Sequence, residues 1–192
     1  KDVPARTFAD FVALVKARPG QFTYTSAGPG STVHLAGDQL LRRAGINLAH
    51  VPYRGAAPAL IDVVAGRVQM ITLGANSLMP YIRSGAVRPL AIASNKRLSY
   101  LPELPTAAEA GVPGWELSVW FGLFGPQGLP KEVVDKLNEY VQKLQNDPSS
   151  IKRMKESFMD LMLMSPQQFT RFVHDEAVKW ERIVKDAGIQ PQ

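Results

Sequence analysis

Apolar residues recur along this chain with two alternating periods. Residues 7–18 place Phe8, Phe11, Val12 and Val15 on one side at helical spacing, with Thr7 as N-cap and Pro19-Gly20 as the stop. Four short β-like runs follow, at 22–25, 49–53, 69–73 and 89–93, and helical patterns at about 32–43, 57–65 and 77–84 separate them. Strand alternating with helix predicts an α/β fold: a parallel sheet, covered by helices on both faces and joined by tight right-handed crossovers.

Beyond residue 95 the pattern changes. Pro102, Pro105, Pro113, Pro126 and Pro130 interrupt any long element. Thr106 and Glu109 have the spacing of a capping box for one short helix. Residues 115–124, rich in aromatic and β-branched side chains, read as one or two buried strands or a crossing segment. The tail is helical: 131–145 carries Val133, Val134, Leu137, Tyr140, Val141 and Leu144 on one face. Ser165-Pro166 announces a second helix over 166–186, with Phe169, Phe172, Val173, Trp180, Ile183 and Val184. Internal repeats and low-complexity tracts are absent.

Composition narrows the class. A chain of 192 residues with 45% hydrophobic content fills one or two cores. With no cysteine, disulfides and thiolate zinc sites are excluded, and His34, His50 and His174 share no metal-ligand spacing. No apolar run approaches the roughly 18 residues of a membrane span. The chain begins at Lys1 without a signal-peptide pattern, which is read as an N-terminal piece removed or omitted. The net charge of +5 is uneven: residues 1–129 hold 12 basic against 7 acidic side chains, and 130–192 hold 10 against 10. The excess therefore lies on the part with the glycine turns, and it favours anions. It is scattered rather than striped, without a nucleic-acid motif, so no nucleic-acid partner is expected.

The candidate chemistry sits where strands give way to helices. After the first run come Ser26, Ala27, Gly28, Pro29 and Gly30, and a helix opens at Ser31 or Thr32. After the second come Tyr53, Arg54 and Gly55, and after the third Gly74, Ala75, Asn76 and Ser77. In a parallel sheet these turns share the C-terminal edge, where open α/β sheets bind ligands. Three helix N-termini and the Arg54 guanidinium would face one crevice, a seat for a small organic anion.

Nucleotide readings fail on specific residues. The pattern beginning Gly28-x-Gly30 meets Val33 where a dinucleotide fingerprint needs glycine, and no lysine stands where a P-loop requires one. No cofactor is expected. A hydrolase alternative takes Ser31 or Ser26 as nucleophile and His34 as base, with Asp38 a turn further on, but Gly-x-Ser-x-Gly is missing. A bare α/β module without ligand is the third reading.

Several strings resemble one family. Tyr24-Thr-Ser-Ala-Gly-x-Gly-Ser-x-x-His34-Leu and His50-Val-Pro-Tyr-Arg-Gly55 with Ala57-Pro58 are similar to the Bug-type receptors of tripartite tricarboxylate transporters. So are Leu104-Pro-Thr-x-x-Glu-Ala-Gly-x-Pro-Gly114, Trp120-Phe-Gly-Leu-Phe with Pro126, and Glu176-x-x-x-Trp180. The matches run in order through almost the whole chain. The resemblance implies a periplasmic solute-binding protein of the two-lobed, type II binding-protein fold, which closes on a small carboxylate and delivers it to membrane permease subunits. Residues 1–114 would then be the second α/β lobe, and 115–192 a crossing segment plus C-terminal helices that complete the first. The three turns would form one lobe's side of the cleft, His34 would support its turn, and hinges would lie at the N-terminal end and near 118–125.

Two departures stand out. Family members usually begin with a strand and a Pro-x-x-x-Gly-Gly loop, and nothing of that kind precedes residue 20. The chain is therefore expected to be a fragment that dimerises, swaps segments or exposes an apolar patch. Where the family often has an acid, this chain has Leu73, which points to a less polar carboxylate.

Overall fold

The computed structural model describes residues 2–188. Its elements run α1 (Phe8–Ala17), β1 (Thr23–Ser26), α2 (Thr32–Ala44), β2 (Ala49–Pro52), α3 (Ala56–Val64), β3 (Met70–Ile71), α4 (Ala75–Arg83), α5 (Lys131–Asn146), α6 (Pro148–Glu156) and α7 (Pro166–Asp186). The chain divides into two compact units, Lys1–Val119 with Ile183–Gln192, and Trp120–Arg182.

In the first unit the three strands form a parallel sheet in the order β2-β1-β3. Tyr24 pairs with His50 and Ser26 with Pro52 on one side of β1, and Thr25 pairs with Ile71 on the other. The central strand is short and almost entirely buried, as expected for parallel pairing covered on both faces. Phe22 and Tyr24 join Phe8, Phe11 and Val15 of α1 and Leu40 and Leu41 of α2 in one core cluster. Buried Ala59, Leu60 and Val63 of α3 lie outside that cluster, and α3 packs on β1 and β3. Thr7 starts α1 through a reciprocal capping box with Asp10. Gly45 ends α2 in the left-handed region, at φ 61°.

Two expectations for this unit are corrected. Residues 89–93 add no fourth ladder. Pro89 has no N–H to donate, and Ile92 turns instead to the proline-rich stretch. There it makes an isolated parallel bridge with Thr106, and its N–H donates to the Pro105 carbonyl at 3.0 Å. The capping-box bonds between Thr106 and Glu109 form, at 2.8 and 3.2 Å, but they close a single turn rather than a helix. Gly111, at φ 90°, and Pro113 leave no room to propagate it.

The 115–124 segment also differs from a buried strand. Trp115 is buried, with its indole N–H on the Ala36 carbonyl at 3.0 Å, yet Val119, Phe121, Leu123 and Phe124 are exposed and belong to no strand. An extended apolar run becomes a buried strand only with a ladder partner, and the described residues supply none.

In the second unit Trp120 packs edge-on against Phe172 at 5.2 Å and Phe169 at 6.0 Å, and Phe124 meets Phe169 at 5.3 Å. The Trp120 indole donates to Glu176 at 3.1 Å. No residue of α5 or α6 is buried, and the predicted stripe on α5 leaves Val133, Leu137, Tyr140 and Leu144 exposed. Helix α6 was not expected from the apolar pattern. It rests on Asp147, whose carboxylate accepts from the Ser150 N–H at 2.8 Å, and on Pro148 in the first turn.

Candidate functional site

Strand β1 ends in Ser26, fully buried, and the chain then turns through Ala27 to Gly30. Gly28 and Gly30 have φ of 125° and 73°, a region L side chains avoid, so this turn requires both glycines. Ser31 caps α2: its Oγ accepts from the His34 N–H at 3.2 Å and donates to the Gly28 carbonyl at 2.7 Å. Thr32 is the first residue of α2, whose first-turn N–H groups have no carbonyl within the helix to meet.

The second turn is bonded directly to the first. The Tyr53 N–H donates to the Ser26 carbonyl at 3.1 Å, and the Gly55 N–H to the Ala27 carbonyl at 3.2 Å. Gly55, at φ 119°, then opens α3 without a side-chain cap, which leaves the start of that helix to the solvent or a ligand. The Tyr53 hydroxyl is committed to the Asp62 carboxylate, which also takes the Arg67 guanidinium at 2.6 Å. Bonding to Asp62 raises the Tyr53 pKa, and the same bond, then Arg67, lowers that of Asp62. Tyr53 therefore meets the turn through its backbone, with its hydroxyl proton spoken for. Arg54 is exposed, and among the described residues it forms no ion pair.

The third turn follows β3, on the other side of β1. The Thr72 hydroxyl donates to the Val33 carbonyl at 2.9 Å and ties this strand end to the first turn of α2. Gly74 opens α4 without a side-chain cap, and a Cβ there would lie 2.7 Å from Asn76 Oδ1. Ala75, Asn76 and Ser77 form the first turn of α4, with the Ser77 N–H on the Gly74 carbonyl at 3.0 Å. All three predicted turns thus stand at the C-terminal ends of three adjacent parallel strands, the first two joined by backbone bonds.

Behind the first turn lies a ring group of which the sequence led us to expect only His34, as support for the turn. The His50 and His34 rings stack at 4.3 Å, and Tyr24 stacks on His50 at 4.8 Å. His50 Nε2 meets Ser26 Oγ at 2.7 Å, and the Gly30 N–H donates to His34 Nδ1 at 3.2 Å. Burial, then the neighbouring His34, lowers the His50 pKa. Parallel register brings His50 beside Tyr24, and nothing in the local pattern of either segment announces that pairing.

The hydrolase geometry is not assembled. The Ser31 proton goes to the Gly28 carbonyl, the fully buried Ser26 meets His50 rather than His34, His34 Nδ1 accepts from a backbone amide, and Asp38 holds Arg42 at 2.7 Å. Among the described residues no group of His, Asp and Glu suits a metal ion.

A parallel α/β unit with three strand-to-helix turns along one sheet edge has the fold of the periplasmic binding proteins. A solved R. palustris protein, Rpa4515 with adipate, is 36% identical with a TM-score of 0.89, over 100% of this chain and 64% of that one. The periplasmic binding protein BugD is 33% identical with a TM-score of 0.85, again over 100% and 64%. The chain belongs to the tripartite tricarboxylate transporter family receptors, whose profile matches residues 1–189. A relative from Pseudomonas sp. (strain P51), the UPF0065 protein in the tcbD-tcbE intergenic region, is 38% identical over 187 residues, 95% of this chain and 56% of the relative. The chain therefore spans between 56% and 64% of the length of these proteins.

Proposed function

We propose that this chain supplies one wall of a solute receptor that captures a small organic carboxylate for a tripartite tricarboxylate-type membrane transporter, without chemistry, in the bacterial periplasm. The observation that carries the reading is the backbone junction of the first two turns, which holds the N-termini of α2 and α3 side by side next to the free Arg54 guanidinium. Each helix end favours negative charge by roughly 0.3–1 kcal/mol. Each N–H bond to a carboxylate adds roughly 1.5–3 kcal/mol. Several such terms together hold a small anion where any one would not.

The residues proposed to meet the ligand are Ala27, Gly28, Gly30, Ser31 and Thr32 of the first turn, Tyr53, Arg54 and Gly55 of the second, and Gly74, Ala75, Asn76 and Ser77 of the third; Ser26, expected among them, is fully buried and bonded to His50 and Gly28, and supports the turn from beneath. An aliphatic dicarboxylate is the fitting class: a homologue of known structure holds adipate, and Leu73 stands at the end of β3 without a polar group. In the receptor, residues 1–114 serve as one lobe, and 115–192 as the crossing and the helices of the other. Permease subunits are the partners to which the carboxylate passes, and a second copy of the chain or a swapped segment covers the exposed apolar face of the second unit.

Titration of the chain with adipate by calorimetry tests the reading, with 1,6-diaminohexane as a control of equal length and opposite charge. Binding of adipate alone, weakened about tenfold in Arg54→Ala, is expected, since one charge-assisted contact is worth roughly 1.5–3 kcal/mol. One wall cannot exclude water, so the affinity is expected to be weaker than micromolar. Indifference to adipate and to a panel of other di- and tricarboxylates would hand the case to the ligand-free module.

A further inference from the structure

The two stacked histidines grip the first turn from opposite ends. His50 holds its entrance through Ser26, whose Oγ also accepts from the Gly28 N–H at 3.1 Å. His34 holds its exit through the Gly30 amide. The second bond has a defined protonation requirement: an imidazole nitrogen that accepts from an N–H must carry a lone pair. His34 is therefore in its Nε2–H form when the turn is set. We propose that His34 and His50 are the positioning residues of the carboxylate turn, and that neutral His34 sets it through its Nδ1 lone pair, so the turn loosens when His34 gains a proton. This rests on the carboxylate reading for its effect on affinity, but not for its effect on the turn.

A proton on Nδ1 would point N–H at N–H across 3.2 Å and break the Gly30 bond. It would also place a positive ring 4.3 Å from His50. The charged and titratable groups around the pair are Tyr24 from β1 and, from α2 itself, Asp38 with its partner Arg42; β3 brings the neutral Thr72. Asp38 is held by Arg42 and favours a charged His50, as the smallest of the three influences on that ring. Burial and His34 keep His50 neutral to lower pH than an ordinary histidine. The consequence runs against simple electrostatics. Added positive charge near an anion site ought to raise affinity, whereas loss of the Gly30 anchor lowers it.

The experiment compares the full chain with His34→Asn and His34→Leu, by adipate calorimetry at about pH 8 and about pH 6, the range in which imidazoles titrate. Asparagine Oδ1 replaces the Nδ1 acceptor but cannot take up a proton; leucine removes the acceptor. The chain is expected to lose affinity on acidification, by no more than about tenfold, the worth of one hydrogen bond. His34→Asn should keep the high-pH affinity and show no such loss, and His34→Leu should bind weakly at both. In ligand-free, 15N-labelled protein the Gly30 amide resonance should move with the His34 ring and stand still in His34→Asn. Affinity that rises on acidification, or a His34→Asn variant that is folded by circular dichroism yet as weak as His34→Leu, overturns the proposal. Absence of adipate binding at every pH overturns the carboxylate reading instead, and the Gly30 resonance then decides the histidine claim alone.

Discussion

Gly37 has no turn to make, yet it sits in the middle of α2, where glycine costs about 1 kcal/mol relative to alanine. Its reason is the ring of Tyr24: a Cβ at Gly37 would lie 2.9 Å from both Cδ2 and Cε2. That ring is buried and stacks on His50, so it has little room to yield. Gly37→Ala is therefore expected to destabilise the protein despite its gain in helix propensity, because overpacking typically costs about 1–3 kcal/mol. Urea unfolding measures the sign, and a more stable variant would show that Tyr24 moves freely. At this scale the turns were legible. Gly28, Gly30 and Gly55 marked turns, and Arg54 marked charge, from residue type alone. The fate of the Tyr53 hydroxyl was not legible, since Asp62 lies nine residues on and meets it only after α3 has folded back.

At the scale of elements, the starts of α1 and α6 and the 106–109 turn all lean on carboxylates. The pKa values of Asp10, Asp147 and Glu109 are lowered, chiefly by hydrogen bonds from Thr7, from Ser149, and from Arg97 respectively. Glu139 is lowered to about 2 by Lys143 and Lys136. A carboxyl with a depressed folded pKa contributes stability that is full above its unfolded pKa, near 4, and is lost as pH falls through the folded value. His50, lowered by burial, acts in the same direction from about pH 6.5 downward. These carboxylates are exposed and partly screened, so each acts weakly. Together they predict a urea midpoint that declines steadily between about pH 6 and about pH 3, with a shallower decline in Asp10→Asn. An unchanged midpoint at the two pH values would refute this. Helix periods were readable here because α1, α2 and α7 each carry a one-sided apolar stripe. The 89–93 run was misleading because strand propensity without a ladder partner does not make a strand.

At the scale of the whole molecule, the two units differ in how they bury apolar surface. The first has a continuous core around Phe8, Phe11, Tyr24, Leu40 and Trp115. The second has an aromatic cluster around Trp120, Phe169 and Phe172, but its α5 stripe, Phe121 and Leu123 face outward. Phe121 is 85% exposed and Leu144 62%. Large apolar side chains exposed in such number point to an interaction surface or an aggregation hazard. Light scattering is expected to report association that grows with concentration, and Phe121→Lys with Leu144→Lys should reduce both association and binding of the dye ANS. A compact monomer that ignores ANS would contradict the expectation.

The amino-acid order alone determined most of the alternation of strand and helix and the positions of the three turns. Those features depend on near neighbours: apolar period, caps, and glycines that permit positive φ. Only the tertiary structure decided that two of the turns are bonded to each other, that His50 stacks on His34 behind them, and that Val119, Phe121, Leu123 and Phe124 stay exposed. Those outcomes depend on which strands lie side by side, and parallel pairing joins segments about 25 residues apart whose own patterns do not encode the choice.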